Sequence, residues 1–293
     1  MTAPRQILPG ATYLITRRCL RREFLLRPGN SVNGIFAYVL ALAARRYGVK
    51  VHAFCVLSNH YHLIVSDPNA RLPAFQQYLG AFVARAVNAS LGRWETFWAP
   101  HSFSAVSLAS PEDVISKTAY TLANPVAAGL VRSGHLWPGL RSSPDAVGGA
   151  IRLKRPEHFF DQEGGLPETI DLKLETPTCF DSALAFREQL QAELSRQEQV
   201  AREANGAFLG VERVLAQSPF ARPRHGESKR CLSPRVAAHD KWSRVELLQR
   251  LKGFLLEYRE ALAVWREGKV DPVFPFGTYL MRVAHGVGCA PSS

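Results

Sequence analysis

The sequence predicts an α+β fold: an antiparallel sheet with helices on one side, followed by a mainly helical extension. Three observations carry this. Apolar segments of strand and helix period alternate as β-α-β-β-α-β-α over the first half of the chain, two of the strands meet at a two-residue turn, and charged helical stretches dominate the second half.

The elements follow in order. "ATYLITRRCL" (11–20) carries the β-formers Tyr13, Ile15 and Thr16 and runs into Arg17, Arg18, Arg21 and Arg22. After the turn residues of "RPGNSVNG" an apolar helix is predicted over 33–48, ending near Gly48. "VKVHAFCVL" (49–57) and "NHYHLIVS" (59–66) are short apolar strands around Ser58 and Asn59, a hairpin. A helix over 72–92 places Leu72, Phe75, Leu79, Phe82, Val83, Ala86 and Val87 at helical spacing. "SFSAVSL" (102–108) is the next strand. The helix that follows has Ser110 as N-cap, Pro111 at its first position and Asp113 reaching back to the cap. This order is that of a ferredoxin-like sheet, a scaffold that hosts many activities, so function has to come from the site.

Composition narrows the partners. In 293 residues, 36 Lys and Arg face 25 acidic residues, a formal net charge of +11 that favours a polyanion such as nucleic acid. The longest apolar run, "IFAYVLALAA" (35–44), is about half of the roughly 20 residues that span a bilayer, so no membrane partner is expected. "MTAPRQILPG" has no apolar signal region, and Cys19, Cys55, Cys179, Cys231 and Cys289 form no CxxC pair. A cytoplasmic protein is expected, nucleoid-associated when bound to DNA.

Two stretches carry chemistry. In a strand His60 and His62 share a face about 7 Å apart along the chain, while Tyr61, Leu63 and Val65 take the other. Two such imidazoles can grip one divalent ion, or be two ordinary histidines on a solvated face. In "SPEDVISKTAYTLANPVAAGLV" (110–131), Val114, Ile115, Thr118, Ala119 and Leu122 form the stripe to be buried. Tyr120 shares the other face with Asp113, Ser116, Lys117 and Asn124, which points its hydroxyl into a polar cleft.

"NHYHLIV" resembles the His-hydrophobic-His motif of the small single-strand transposases, the HUH endonuclease fold. "AYTLANPVAAGLV" resembles the tyrosine and Asn-Pro-Val block of the REP-associated tyrosine transposases. The basic first strand and "GHLWPGLRSS" (134–143) are also similar, and the resemblance covers about residues 8–145.

The resemblance implies that Tyr120 is a nucleophile forming a 5′-phosphotyrosine bond. It also implies that His60, His62 and Asn124 hold Mg²⁺ or Mn²⁺ at the scissile phosphate of single-stranded, hairpin-containing DNA. Two imidazoles and an amide by themselves suit Zn²⁺ better, and Mn²⁺ is the better compromise of the two implied ions. A tyrosine titrates near 10, so the metal and Lys117 must help it ionise; no carboxylate stands out as a base. The chain departs from the pattern at Ala127, where an arginine is usual, and in "WETFWAPHSF" (94–103), which has no Lys or Arg. Pro125 is expected to leave Asn124 on a frayed last turn.

For DNA contacts, Arg17, Arg18, Arg21 and Arg22 can bind phosphates. Trp94, Phe97, Trp98 and His101 can stack on unpaired bases at about 1–3 kcal/mol each, or close the core beneath the sheet.

The organisation expected is a catalytic domain over 1–148, a linker over 149–179 and a helical basic region over 180–293. That region has helices at 180–204 and 244–268 around a basic strap (218–235) that carries Arg222, Arg224, Lys229 and Arg230. It is either a DNA-binding module or an extension packed on the first domain. The chain therefore reads as a metal-dependent transposase-type enzyme that nicks and rejoins DNA, as a monomer or homodimer. The alternative is a catalytically idle DNA-binding relative acting on repeat elements.

Overall fold

The computed structural model describes residues 4–100, 103–157, 160, 164–223, 234–268 and 271–291. Its elements are β1 (Ala11–Arg18), α1 (Asn30–Tyr47), β2 (Lys50–Leu57), β3 (His60–Asp67), α2 (Leu72–Ser90), β4 (Ser104–Leu108) and α3 (Pro111–Ala127). They continue as β5 (Ala150–Lys154), β6 (Thr169–Lys173), α4 (Ala183–Ala204), α5 (Val211–Leu215), β7 (Val236–Ala237), α6 (Lys241–Glu267) and α7 (Leu280–His285). The α+β class and the order of the first seven elements are as expected. Helix α1 begins three residues earlier than its periodicity implied and stops where expected, at Gly48, whose φ of +67° makes a left-handed cap.

Among the described residues the main sheet has five strands in the order β2-β3-β1-β4-β7. Its first four strands pair antiparallel and β7 joins β4 in parallel, so the sheet is mixed. Register places Thr16 of β1 opposite His62, and Cys55 of β2 on the other flank of the same histidine.

Helices cover both faces of the sheet, which corrects the one-sided arrangement. Tyr13, Ile15, Tyr61, Leu63 and Val65 pack under α1 and α2, with Phe36, Leu79 and Val83. Leu14, Ala53, Ile64 and Val106 point the other way, onto Val114, Ile115, Ala119 and Leu122 of α3 and Phe186, Leu190 and Leu194 of α4. The physical reason lies in β3: Ile64 shares the histidine face, so that face is polar at one end and apolar at the other. Helix α3 buries the apolar end and meets the histidines at the polar end.

Residues 149–179 are not a structureless linker. Strands β5 and β6 pair antiparallel, and Ile170, Leu172 and Leu174 are buried in the core under α1. The alternation in "TIDLKL" is the strand signal that the surrounding Pro, Gly and Glu residues obscured. The outer edge of β2 is closed by residues 137–142, through Val56 N–H to Leu140 O (2.8 Å) and Trp137 Nε1–H to Val56 O (3.0 Å). Helix α4 lies along α3 and forms no separate module with α6. Helix α6 is longer than expected, and its Ala261 joins Phe274 and Met281 in a small core of their own. No helix among the described residues is long and apolar enough to cross a membrane.

One buried histidine has a role in this frame. The register of β2 shifts between Val51 and Ala53, and this bulge turns His52 inward. Its Nδ1–H donates to Glu175 O (2.7 Å), and Nε2 accepts from the Ser66 hydroxyl (2.8 Å). Burial lowers its pKa from 6.5 to about 4. Between those values the unfolded chain binds a proton that the folded chain refuses, so stability is retained above pH 6.5 and falls as pH drops toward 4. Wild type should lose about 2 kcal/mol more than His52→Gln between pH 7 and pH 5, read by denaturant unfolding. Equal losses in the two proteins would refute this.

Candidate active site

The strand alternation of β3 puts His60 and His62 on one face, with ring centroids 4.9 Å apart and edge to face. Helix α3 crosses that face and brings Tyr120 and Asn124, one turn apart, against them. The Asn124 amide nitrogen is 3.4 Å from His62 Nε2, and the Tyr120 ring lies 5.5 Å from the His62 ring. Asn124 is buried, whereas Tyr120 is 41% exposed and faces solvent at the mouth of the site. Four residues from two distant segments thus meet at one place.

Hydrogen bonds orient both imidazoles. His60 Nδ1 lies 2.7 Å from Asn59 Oδ1; an amide oxygen can only accept, so Nδ1 carries the proton and Nε2 keeps its lone pair. The Asn124 amide N–H donates to His62 Nε2, which leaves the His62 proton on Nδ1 to donate to Thr16 Oγ1, 2.8 Å away. Burial, together with Arg18 and Arg22, lowers the pKa of His60 to about 4. Burial, with His60 and Arg18, holds His62 well below the usual imidazole range. Both rings are therefore neutral near pH 7, the form in which an imidazole binds a metal.

This donor set fits a divalent ion. Among the described residues no third His, Cys, Asp or Glu joins the pair, so the third donor within reach is the Asn124 amide, whose oxygen faces the histidines after a half-turn of the amide. Neutral nitrogens and an amide oxygen bring no negative charge, so the remaining ligands of a bound ion would be water and anionic phosphate.

Two clefts, of about 520 and 800 Å³, meet at His62 and Tyr120. Arg18 lines both; Arg22 lines the first, and Lys117 and Arg244 line the second. Among the described residues the one carboxylate lining either cleft is Asp113, and it is engaged: Oδ1 accepts His239 N–H at 2.7 Å and Oδ2 accepts the Ser110 hydroxyl at 3.1 Å. Among the described residues the joined groove is cationic and has no poised carboxylate. Arg21 and Arg22 both hold left-handed backbone, φ +51° and +61°, in the short turn Leu20–Arg22 that carries Arg22 to the cleft.

Several expected contacts fall elsewhere. Arg17 borders the second cleft, but β1 alternation sends its guanidinium to the α1 and α2 side, over the Trp98 ring (4.8 Å). Gly80 makes this possible, because a Cβ there would collide with the Arg17 guanidinium. Trp98 is buried, donates to Gly80 O (2.8 Å) and packs edge-on against Tyr61, so it closes the core and cannot stack on a base. Phe97 is buried too, while Trp94 stands in solvent. Arg21 and Arg222 are exposed. His101, Arg224, Lys229 and Arg230 lie outside the described residues.

Pro125 does not fray α3, which continues to Ala127 with Asn124 buried. The turn beyond holds it: Leu130 N–H bonds Pro125 O (3.0 Å), Asn205 bonds Val126 O (3.2 Å) and Arg141 Nε bonds Leu122 O (2.8 Å). Ala127 lies on the wall of the first cleft, where an arginine would have added a further cation.

Sequence reasoning missed Thr16 and Asn59, which orient the histidines, and the C-terminal residues that wall the clefts. Thr16 shares the histidine face by simple alternation, but which histidine it meets is a matter of register.

No family model matches the sequence, and no curated protein matches it. Among solved structures, a REP-associated tyrosine transposase bound to a REP hairpin aligns over 47% of this chain and 81% of its own, at 20% identity and a TM-score of 0.41. A Deinococcus radiodurans R1 protein described as a transposase aligns over 36% of this chain and 85% of its own, at 19% identity and a TM-score of 0.29.

Thr16→Val removes the partner of His62 Nδ1 while keeping the strand. It should weaken Mn²⁺ binding by about 10- to 100-fold in calorimetric titration, with the unfolding transition nearly unchanged. Undiminished affinity would show that Thr16 does not orient the ring.

Proposed function

We propose that the protein is a transposase-type DNA strand transferase that nicks and rejoins single-stranded, hairpin-flanked DNA through a 5′-phosphotyrosine. The observation that carries this is the meeting of a solvent-facing phenol, two neutral imidazoles and an amide at the centre of a cationic groove. Groove and charge suit a polyanionic strand, and an exposed tyrosine beside phosphate-binding groups suits attack on phosphorus.

The groups divide the work. Arg18, Arg22 and Lys117 hold backbone phosphates on either side of Tyr120. The phenol oxygen attacks phosphorus, an O–P bond to tyrosine forms and the P–O3′ bond breaks. The tyrosine proton leaves to water in the open cleft, and the departing 3′ oxygen takes one up. The number of phosphoester bonds is unchanged, so a 3′ hydroxyl can reverse the step and rejoin a strand without ATP. Bound by His60 Nε2, His62 Nε2 and the Asn124 amide, Mg²⁺ or Mn²⁺ would supply positive charge at the non-bridging phosphate oxygens. Asn59 and Thr16 keep both Nε2 atoms aimed into the groove.

The test incubates the protein with end-labelled single-stranded hairpin DNA and Mn²⁺ and resolves covalent adducts on denaturing gels. Wild type should form an adduct and Tyr120→Phe none, and His60→Ala should cut cleavage by about 100-fold or more with DNA affinity retained. Binding by wild type without any adduct would replace the enzyme with a catalytically idle DNA-binding protein.

A further inference from the structure

One wall of the second cleft comes from the second half of the chain. It comes from residues 234–244, which include β7 and lead into α6, and which contribute Val236, Ala237, His239 and Arg244.

 Strand β7 itself lies within this segment, and its position is tied down at three points. It pairs in parallel with β4, Ser107 N–H bonds Arg235 O (2.9 Å), and the His239 backbone N–H is held by Asp113 Oδ1 (2.7 Å) at the start of the tyrosine helix. Asp240 then caps α6 through Ser243 N–H (2.6 Å), which sets Arg244 in the first turn of a 27-residue helix. His239 and Arg244 are both exposed.

Resting on the function proposed above, we infer that this segment is a nucleic-acid contact surface, with Arg244 holding a backbone phosphate of the single strand on the Lys117 side of Tyr120. The cleft is lined by Arg18, Lys117 and Arg244, and its single carboxylate among the described residues, Asp113, is consumed in holding His239 and Ser110. A strand that leaves His62 along this cleft therefore meets cations from β1, from α3 and from α6 in turn. The first cleft has a similar outer wall in Gln217 and Pro223, so the extension flanks the reacting residues at both ends of the groove. Arg244 supplies charge for binding and touches no reacting atom, so it is a positioning residue.

The test compares the full-length wild type, Arg244→Glu and Arg259→Glu by fluorescence anisotropy, using a labelled hairpin with a single-stranded flank over a range of salt. Arg259 is an exposed cation on the same helix, about 22 Å further along at 1.5 Å per residue, and serves as the charge-matched control. Arg244→Glu should weaken binding by about 5-fold or more and lower the slope of log affinity against log salt by about 0.7 to 1, while Arg259→Glu leaves both unchanged. Adduct formation at saturating DNA should survive in Arg244→Glu, which a collapse of the active site would not allow. Wild-type affinity in Arg244→Glu, or an equal loss in Arg259→Glu, overturns the inference and leaves the strand-transfer reading standing. Failure of the wild type to bind the hairpin overturns that reading, and this inference with it.

Discussion

The structure depends on how α3 lies across the histidine face of the sheet. Ala119 and Leu122 pack onto Leu14 and Ile64 at the apolar end of that face. Because the helix is rigid, this burial delivers Tyr120 and Asn124 to the polar end, beside His62. Packing and site geometry are therefore one constraint. A shift of α3 that relaxed the core would also move the phenol and amide away from the imidazoles.

The second half of the chain enforces the same constraint from outside. Helix α4 covers the other side of α3 with Phe186, Leu190 and Leu194. Its buried Glu198 accepts Gly134 N–H (3.0 Å) and pairs with Arg141 (3.8 Å), holding the segment that returns from α3 to the edge of β2. The hydrogen bond from His239 ties the start of α3 to the segment before α6. Residues after 148 therefore support and border the site, and the division into domain, linker and appended helices gives way to one interlocked arrangement.

Electrostatics and burial work together at the histidines. Nearby Arg18 and Arg22 and the loss of solvent both disfavour an imidazolium, so the rings stay neutral in a cationic groove. The same arginines suit a phosphate, whose charge would compensate the cations that the histidines cannot. Arg17 shows how narrow the margin is: one residue before Arg18, it points through the sheet and becomes part of the core beside Trp98.

Much of the first half was legible in the sequence because its signals are local. Period-two alternation placed His60 and His62 on one face, and the capping residues and apolar stripe of α3 placed Tyr120 and Asn124 on one edge. What the chain order could not supply was anything that depends on register or layering. Thr16 opposite His62, helices on both faces, Trp98 in the core, β5 and β6 in place of a linker, and C-terminal residues at the groove are all contacts between segments far apart in sequence. The sequence by itself determined the elements and the faces on which the chemistry-bearing residues stand, since backbone geometry repeats every two or 3.6 residues. Only the tertiary structure decided which faces meet, because that choice rests on the burial of apolar surface summed over the whole chain.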